Sequence, residues 1–146
     1  MNEHTIYLGG GCFWGLQGYI KKIEGVLSTE VGYANGPTEN PSYEDVCHNS
    51  GHVEALKVTY DADTLSLDHL IQYFLRAIDP FSVNKQGGDV GIQYRTGIYY
   101  TDTADKSIIE STLARAQTFE GKPFAIEVLP LENYYSAEEY HQDYLD

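Results

Sequence analysis

Cysteine is scarce in this chain: its 146 residues include only Cys12 and Cys47. So few cannot make a disulfide framework, and in an intracellular chain a free reactive thiol is the better reading than a structural bridge. Positive charge is scarce as well. Nine Lys and Arg stand against 22 Asp and Glu, a formal charge of −13. That balance argues against nucleic acid or an anionic membrane as partner, since both demand clustered cations. No apolar run approaches the roughly 18 residues needed to span a bilayer. The opening "MNEHTIYLGG" lacks a basic n-region and an apolar h-region, so a cytoplasmic location is expected. Repeats, low-complexity tracts and linkers are also lacking. Residues 1–146 are therefore expected to form a single domain, long enough to bury a real core.

What the chain does have is tyrosine: 13, against 5 Phe and 1 Trp. Tyrosine packs as an aromatic but brings a hydroxyl, which suits half-polar walls. The apolar pattern gives the elements. "TIYLGG" (5–10) is a short strand that stops at glycines. Phe13, Leu16, Ile20 and Ile23 recur at helical spacing and predict a helix to about Glu24, with Gly25 as its C-cap. Strands are predicted over 26–34 and 53–61, the latter from Val53, Ala55 (or Leu56), Val58 and Tyr60. Ser66 caps a helix over 66–79 with Leu67, Leu70, Ile71, Phe74 and Leu75 as its stripe, and Pro80 follows it. A strand at 96–101, a helix from Asp105 to Phe119 with Ile108, Ile109 and Leu113 inward, and a strand at 124–131 complete the pattern. The order is α+β, with helices covering one mixed or antiparallel sheet. Two long Gly-, Pro- and Asn-containing loops, 35–51 and 81–95, are of the length that usually carries function. The acidic, Tyr-rich tail after residue 131 is read as irregular but packed on the domain.

The chemistry concentrates in "GGGCFWG". Cys12 stands at the first turn of the predicted helix, where free N–H groups and the positive dipole end favour thiolate over thiol. A buried, inert cysteine would not need Gly9, Gly10 and Gly11 to open the backbone around it, so a nucleophile is the better reading. Phe13 and Trp14 could both be core, yet neighbours on a helix point in different directions. At least one should border the thiol as an apolar wall. "CHNSGHVE" (47–54) gathers Cys47, His48, His52 and Glu54 but lacks the second Cys or His pair of a zinc motif, so no metal is expected.

"GGGCFWG" resembles the active-site signature of the A-type peptide-methionine sulfoxide reductases. The resemblance continues through "GYANG" (32–36), "NPSYEDVC" (40–47), "GHVE" (51–54), "DP" (79–80), "NKQGGDVGIQYR" (84–95) and "AEEYHQDYL" (137–145), and so covers residues 5 to 145. It implies an α/β sandwich with a ferredoxin-like core and reduction of methionine S-sulfoxide, free or in peptides and proteins. It also implies roles. Cys12 would attack the sulfoxide sulfur, with Phe13 and Trp14 cradling the S-methyl group. Glu54 would protonate the sulfoxide oxygen, Tyr43 and Tyr94 would hydrogen-bond it, and Asp89 would help order the site. These roles make physical sense. A sulfoxide is a poor electrophile until its oxygen is protonated, and a carboxylic acid desolvated among aromatics stays protonated near neutral pH. Taken alone, Glu54 would be an exposed strand residue, Tyr43 and Tyr94 loop tyrosines, and Asp89 a turn residue.

Relatives often carry resolving cysteines after the position where this chain ends, and none follows Cys47 here. The expectation is a single-cysteine cycle with no metal or organic cofactor, in which thioredoxin, glutaredoxin or a small thiol restores Cys12. Resolution by Cys47 is the alternative. Ile78, Lys85 and Ile92 replace the His, Arg and Thr common in relatives without removing a matched catalytic position. Two rival readings remain: a thiol peroxidase using the same Cys12, and a binding module that recognises oxidised methionine through Phe13 and Trp14.

Overall fold

The computed structural model describes residues 2–10, 13–36, 52–78, 85–86, 89–90, 95–120 and 124–137; of these, the side chains of residues 13, 85–86, 89–90 and 119–120 are not described. The element order is β1 (Glu3–Gly9), α1 (Phe13–Ile20), β2 (Val26–Ala34), β3 (Val53–Asp61), α2 (Leu67–Ala77), β4 (Lys85–Gln86), β5 (Asp89–Val90), β6 (Gly97–Tyr100), α3 (Thr103–Glu120), β7 (Glu127–Pro130) and β8 (Tyr134–Ser136). Six strands form one sheet in the order β7-β6-β1-β3-β2-β8, and β4 and β5 form a separate two-stranded ladder. All neighbours in the large sheet are antiparallel except β6 and β7. Within it, β1-α1-β2 and β3-α2-β6 interleave as two split βαβ units, the ferredoxin-like arrangement.

The helices cover one face. Ile6 and Leu8 of β1, Leu56, Val58 and Tyr60 of β3, Val31 and Tyr33 of β2, and Ile98 and Tyr100 of β6 meet Leu16 and Ile20 of α1, Leu70, Ile71 and Phe74 of α2, and Ile109 of α3. On the opposite face Tyr7, Ala34, Val53, Ala55 and Tyr99 form a smaller cluster under Tyr134 and Leu131. From Lys57 to Asp61 the burial of β3 alternates as its sequence suggested, whereas Val53–Leu56 is buried on both faces because the second cluster covers the far side there. None of the described helices is long and apolar enough to cross a membrane.

Several boundaries move for identifiable reasons. Helix α1 stops at Ile20 rather than Glu24. Two tight turns follow, Ile23 N–H to Ile20 C=O and Val26 N–H to Ile23 C=O, both 3.1 Å. Gly25, at φ 102°, closes the second turn instead of capping the helix; a Cβ there would lie 2.5 Å from that of Leu65. Helix α3 starts two residues early because the Asp102 carboxylate accepts the Ala104 N–H at 2.9 Å. Its face also differs, since Ile109 is buried while Ile108 is 42% exposed. The tail's Tyr134–Ser136 pairs as edge strand β8, and loop 81–95 contains the β4-β5 ladder. The Ser66 cap is as expected, its hydroxyl accepting the His69 N–H at 3.1 Å.

Helix α3 is tied to α2 through one carboxylate. Asp68 accepts the Thr112 hydroxyl at 2.5 Å and pairs with Arg115. The Thr112 bond first, then the Arg115 charge, hold Asp68 below the usual carboxylate range against the opposing effect of burial. A folded pKa below the unfolded one adds stability above about pH 4 that is lost as pH falls through the folded value. Thr112→Val is therefore expected to cost about 1–2 kcal/mol at neutral pH. In urea titrations across pH, that difference from the wild type should shrink below about pH 4. A pH-independent difference would mean that the hydroxyl acts through packing alone.

Candidate active site

One edge of the sheet gathers the ends of four strands. Gly9 at the end of β1 pairs with Ala55 of β3 and with Gly97 at the start of β6. Tyr33 and Ala34 at the end of β2 pair with Glu54 and Val53 at the start of β3. The chain leaves β1 towards Cys12 and returns to β6 from Tyr94, so topology brings the described flanks of both segments to this edge. The Arg95 carbonyl and the Glu54 carbonyl lie 3.3 and 3.5 Å from where a Cβ on Gly9 would stand. Gly10 is clamped from the other side. A Cβ there would meet Ile78 Cγ2 at 2.5 Å and the Phe74 ring at 3.3 Å, so the end of α2 rests on the backbone two residues before Cys12.

Glu54 is the decisive residue of this edge. Along β3 it alternates with Leu56, Val58 and Tyr60, which places it on the helix-covered face beside its cross-strand partner Tyr33. Glu54 and Tyr33 are both 0% exposed. Read alone as a strand residue it would have been exposed; the central position of β3 makes it a fully buried carboxyl instead. Trp14, in the first turn of α1, packs partly buried against the same core. That turn, Phe13-Trp14-Gly15-Leu16, holds no acidic residue, so nothing on the helix itself neutralises the positive end of its dipole.

The entry and exit of segment 37–51 are held together. Gly36 packs against the buried His52, whose ring atoms lie 2.2–2.4 Å from a notional Cβ on Gly36. Asn133 brackets Gly36, donating to its carbonyl at 2.8 Å and accepting its N–H at 3.2 Å. Asn35, at φ 49°, accepts the Glu132 N–H at 2.7 Å and donates to the Pro130 carbonyl at 3.1 Å. This clasp escaped the sequence reading, although "YANG" carries the Asn-Gly signal of a left-handed turn. Its partners stand nearly a hundred residues away.

The tyrosines build the opposite face. The Tyr134 ring lies over Gly32, where a Cβ would meet it at 2.5 Å, and its hydroxyl donates to Glu30 at 2.8 Å. Burial first, then the bond to Glu30, push its phenol far above the usual range. Tyr7 stands 5.0 Å from it, centroid to centroid.

Of the residues singled out from sequence, the structure places Glu54 and Trp14 on the same, helix-covered face of the sheet. Phe13 begins α1 and Asp89 begins β5, opposite Gln86, but their side chains are not described. Cys12, Tyr43, Cys47 and Tyr94 lie outside the described residues.

Three comparisons bear on this arrangement. A family model described as peptide methionine sulfoxide reductase matches residues 4–146. A protein of Lachnoclostridium phytofermentans named peptide methionine sulfoxide reductase MsrA is 57% identical over 147 residues, covering 100% of this chain and 88% of that protein. One of the same name from Clostridium perfringens is 55% identical over 141 residues, covering 96% of this chain and 90% of its own length. Among solved structures, reduced Mxr1 of Saccharomyces cerevisiae superposes with a TM-score of 0.94 at 36% identity, covering 99% of this chain and 85% of that one.

Proposed function

The chain belongs to the peptide methionine sulfoxide reductase family, and from that premise we propose that it repairs methionine S-sulfoxide by a cysteine sulfenic acid cycle. The observation that carries the mechanism is a carboxyl with no exposure, Glu54, on the helix-covered face at the edge where β1 runs towards Cys12. Burial strips a carboxylate of its water and favours the neutral acid. A neutral acid is what a sulfoxide oxygen needs as proton donor.

In this reading Cys12, as thiolate at the start of α1, attacks the sulfoxide sulfur. Glu54 delivers a proton to the oxygen, while Tyr43 and Tyr94 hold it by hydrogen bonds. Asp89 helps order the site. Phe13 and Trp14 receive the S-methyl group; the place of Trp14 on the first turn of α1, against the core that Glu54 faces, supports this. The oxygen passes to Cys12 as sulfenic acid, the sulfur–oxygen bond of the substrate breaks, and methionine leaves reduced by two electrons. A first external thiol condenses with the sulfenic acid, releasing water and forming a mixed disulfide. A second thiol displaces Cys12 and leaves an external disulfide. Thioredoxin, glutaredoxin or a small thiol fits that part, and no metal or organic cofactor enters.

The test is a thiol-supported assay on separated S and R epimers of methionine sulfoxide. Turnover of the S epimer alone, dependent on the thiol, is expected. Equal rates on both epimers, or full activity without thiol, would overturn the reading. Faster turnover of hydroperoxides than of methionine sulfoxide would favour a thiol peroxidase in its place.

A further inference from the structure

Arg95 touches both chain segments that converge on the site. It directly follows Tyr94, and its carbonyl packs on Gly9 at the end of β1. Its side chain, 18% exposed, reaches across to β7, where Nε donates to Glu127 Oε2 at 3.2 Å. The same oxygen accepts the Tyr99 hydroxyl at 2.8 Å. Glu127 also donates its own backbone N–H to the Thr96 carbonyl at 3.0 Å. One residue of β7 thus holds the side chain of Arg95 and the backbone of the residue after it.

The network depends on a row of small residues. Ala55, Gly9, Gly97 and Glu127 are successive partners across β3, β1, β6 and β7. Gly97 leaves room for the Tyr99 phenol, whose oxygen would lie 2.3 Å from a Cβ at that position. Tyr99 is fully buried. Burial and the neighbouring Glu127 charge push its phenol far above the usual range, so it acts as a permanent donor. Arg95 is likewise always charged.

The geometry points to Glu127 as a positioning residue for methionine sulfoxide reduction, acting through Arg95 on the adjoining Tyr94. This rests on the role proposed above for Tyr94. Glu127 touches no reacting atom in this scheme. It sets the position of Tyr94, which does, and misplacing such a group by about 1 Å costs rate.

A double-mutant cycle tests this, using Glu127→Ala, Tyr94→Phe and the pair, with kcat and KM measured under saturating thiol. Glu127→Ala is expected to lower kcat about tenfold, with KM changed less. In the Tyr94→Phe background the same change should cost under about twofold, because the residue through which it acts is already disabled. Glu127→Gln keeps an acceptor oxygen and should retain most of kcat. Should the alanine protein fail to fold, Glu127→Thr suits a strand and is too short to reach either donor. A tenfold loss in both backgrounds, or none in the first, would overturn the proposal while the functional reading stands. A wild type inactive on methionine sulfoxide would overturn both.

Discussion

Cys12→Ser is expected to abolish methionine sulfoxide reduction, lowering kcat roughly a thousandfold or more. The reaction removes an oxygen atom, so some group must give up two electrons and carry that oxygen away. Sulfur does so readily through the sulfenic acid; a serine hydroxyl does not, and it is not ionised at neutral pH. The helix start that favours a thiolate cannot create a comparable alkoxide. The fold should be unaffected, because cysteine and serine are close in size. The measurement is methionine formed per enzyme under saturating thiol, with thermal unfolding as the control. Retention of more than about a tenth of the wild-type rate would remove Cys12 from the mechanism. Mass spectrometry of the wild type after one turnover without reductant adds the intermediate. A gain of one oxygen is expected, whereas a loss of two hydrogens would show that Cys47 closes a disulfide.

Glu54→Gln carries the second large effect. Glutamine keeps the shape of the side chain and a hydrogen-bond donor, but its amide does not supply a proton to an oxygen leaving sulfur. General acid catalysis contributes about 10²–10⁴-fold, so kcat is expected to fall by at least a hundredfold. KM should change little, since the amide still binds the sulfoxide oxygen. The protein should unfold no more easily than the wild type, because at a site with 0% exposure the amide keeps the size of the side chain and buries no charge. Thermal unfolding of the variant separates chemistry from architecture. A kcat within threefold of the wild type, in a folded variant, would assign proton delivery to the tyrosines or to water.

The readability of the site divides along physical lines. Local structure that depends on near neighbours in the chain was legible. The apolar repeat after "GGGC" predicted a helix from Phe13, and α1 starts there. The Ser66 cap and the apolar stripe of α2 were legible for the same reason. The burial of Glu54 was expected from the family resemblance but not from its local pattern. Its strand begins with apolar residues on both sides, Val53 and Ala55 on one and Leu56 on the other, so the pattern around Glu54 could not say which face carries the helices. That question is answered only by the neighbours β1 and β2 and by the helices laid across them.

The glycines make the same point. Gly25 looked like the cap of a helix because it follows an apolar repeat. The helix had already ended at Ile20, and the positive φ of Gly25 serves the second of two turns and a close approach to Leu65. Gly10 and Gly97 gave no signal of what they accommodate, because Ile78 and the Tyr99 phenol reach them only in the folded protein. The Asn35–Asn133 clasp and the Arg95–Glu127–Tyr99 network likewise join residues far apart in sequence.

By itself, then, the amino-acid order determined the α+β succession of elements, the acidity of the surface, the nucleophile candidate and the family resemblance. Each of these depends on residue type and short-range spacing. Only the tertiary structure decided that Glu54 is buried, that the ends of four strands share one edge, and that Glu127 stands behind Arg95. Those facts depend on which strands become neighbours and which face the helices cover, and both are set by burial summed over the whole chain rather than by any local pattern.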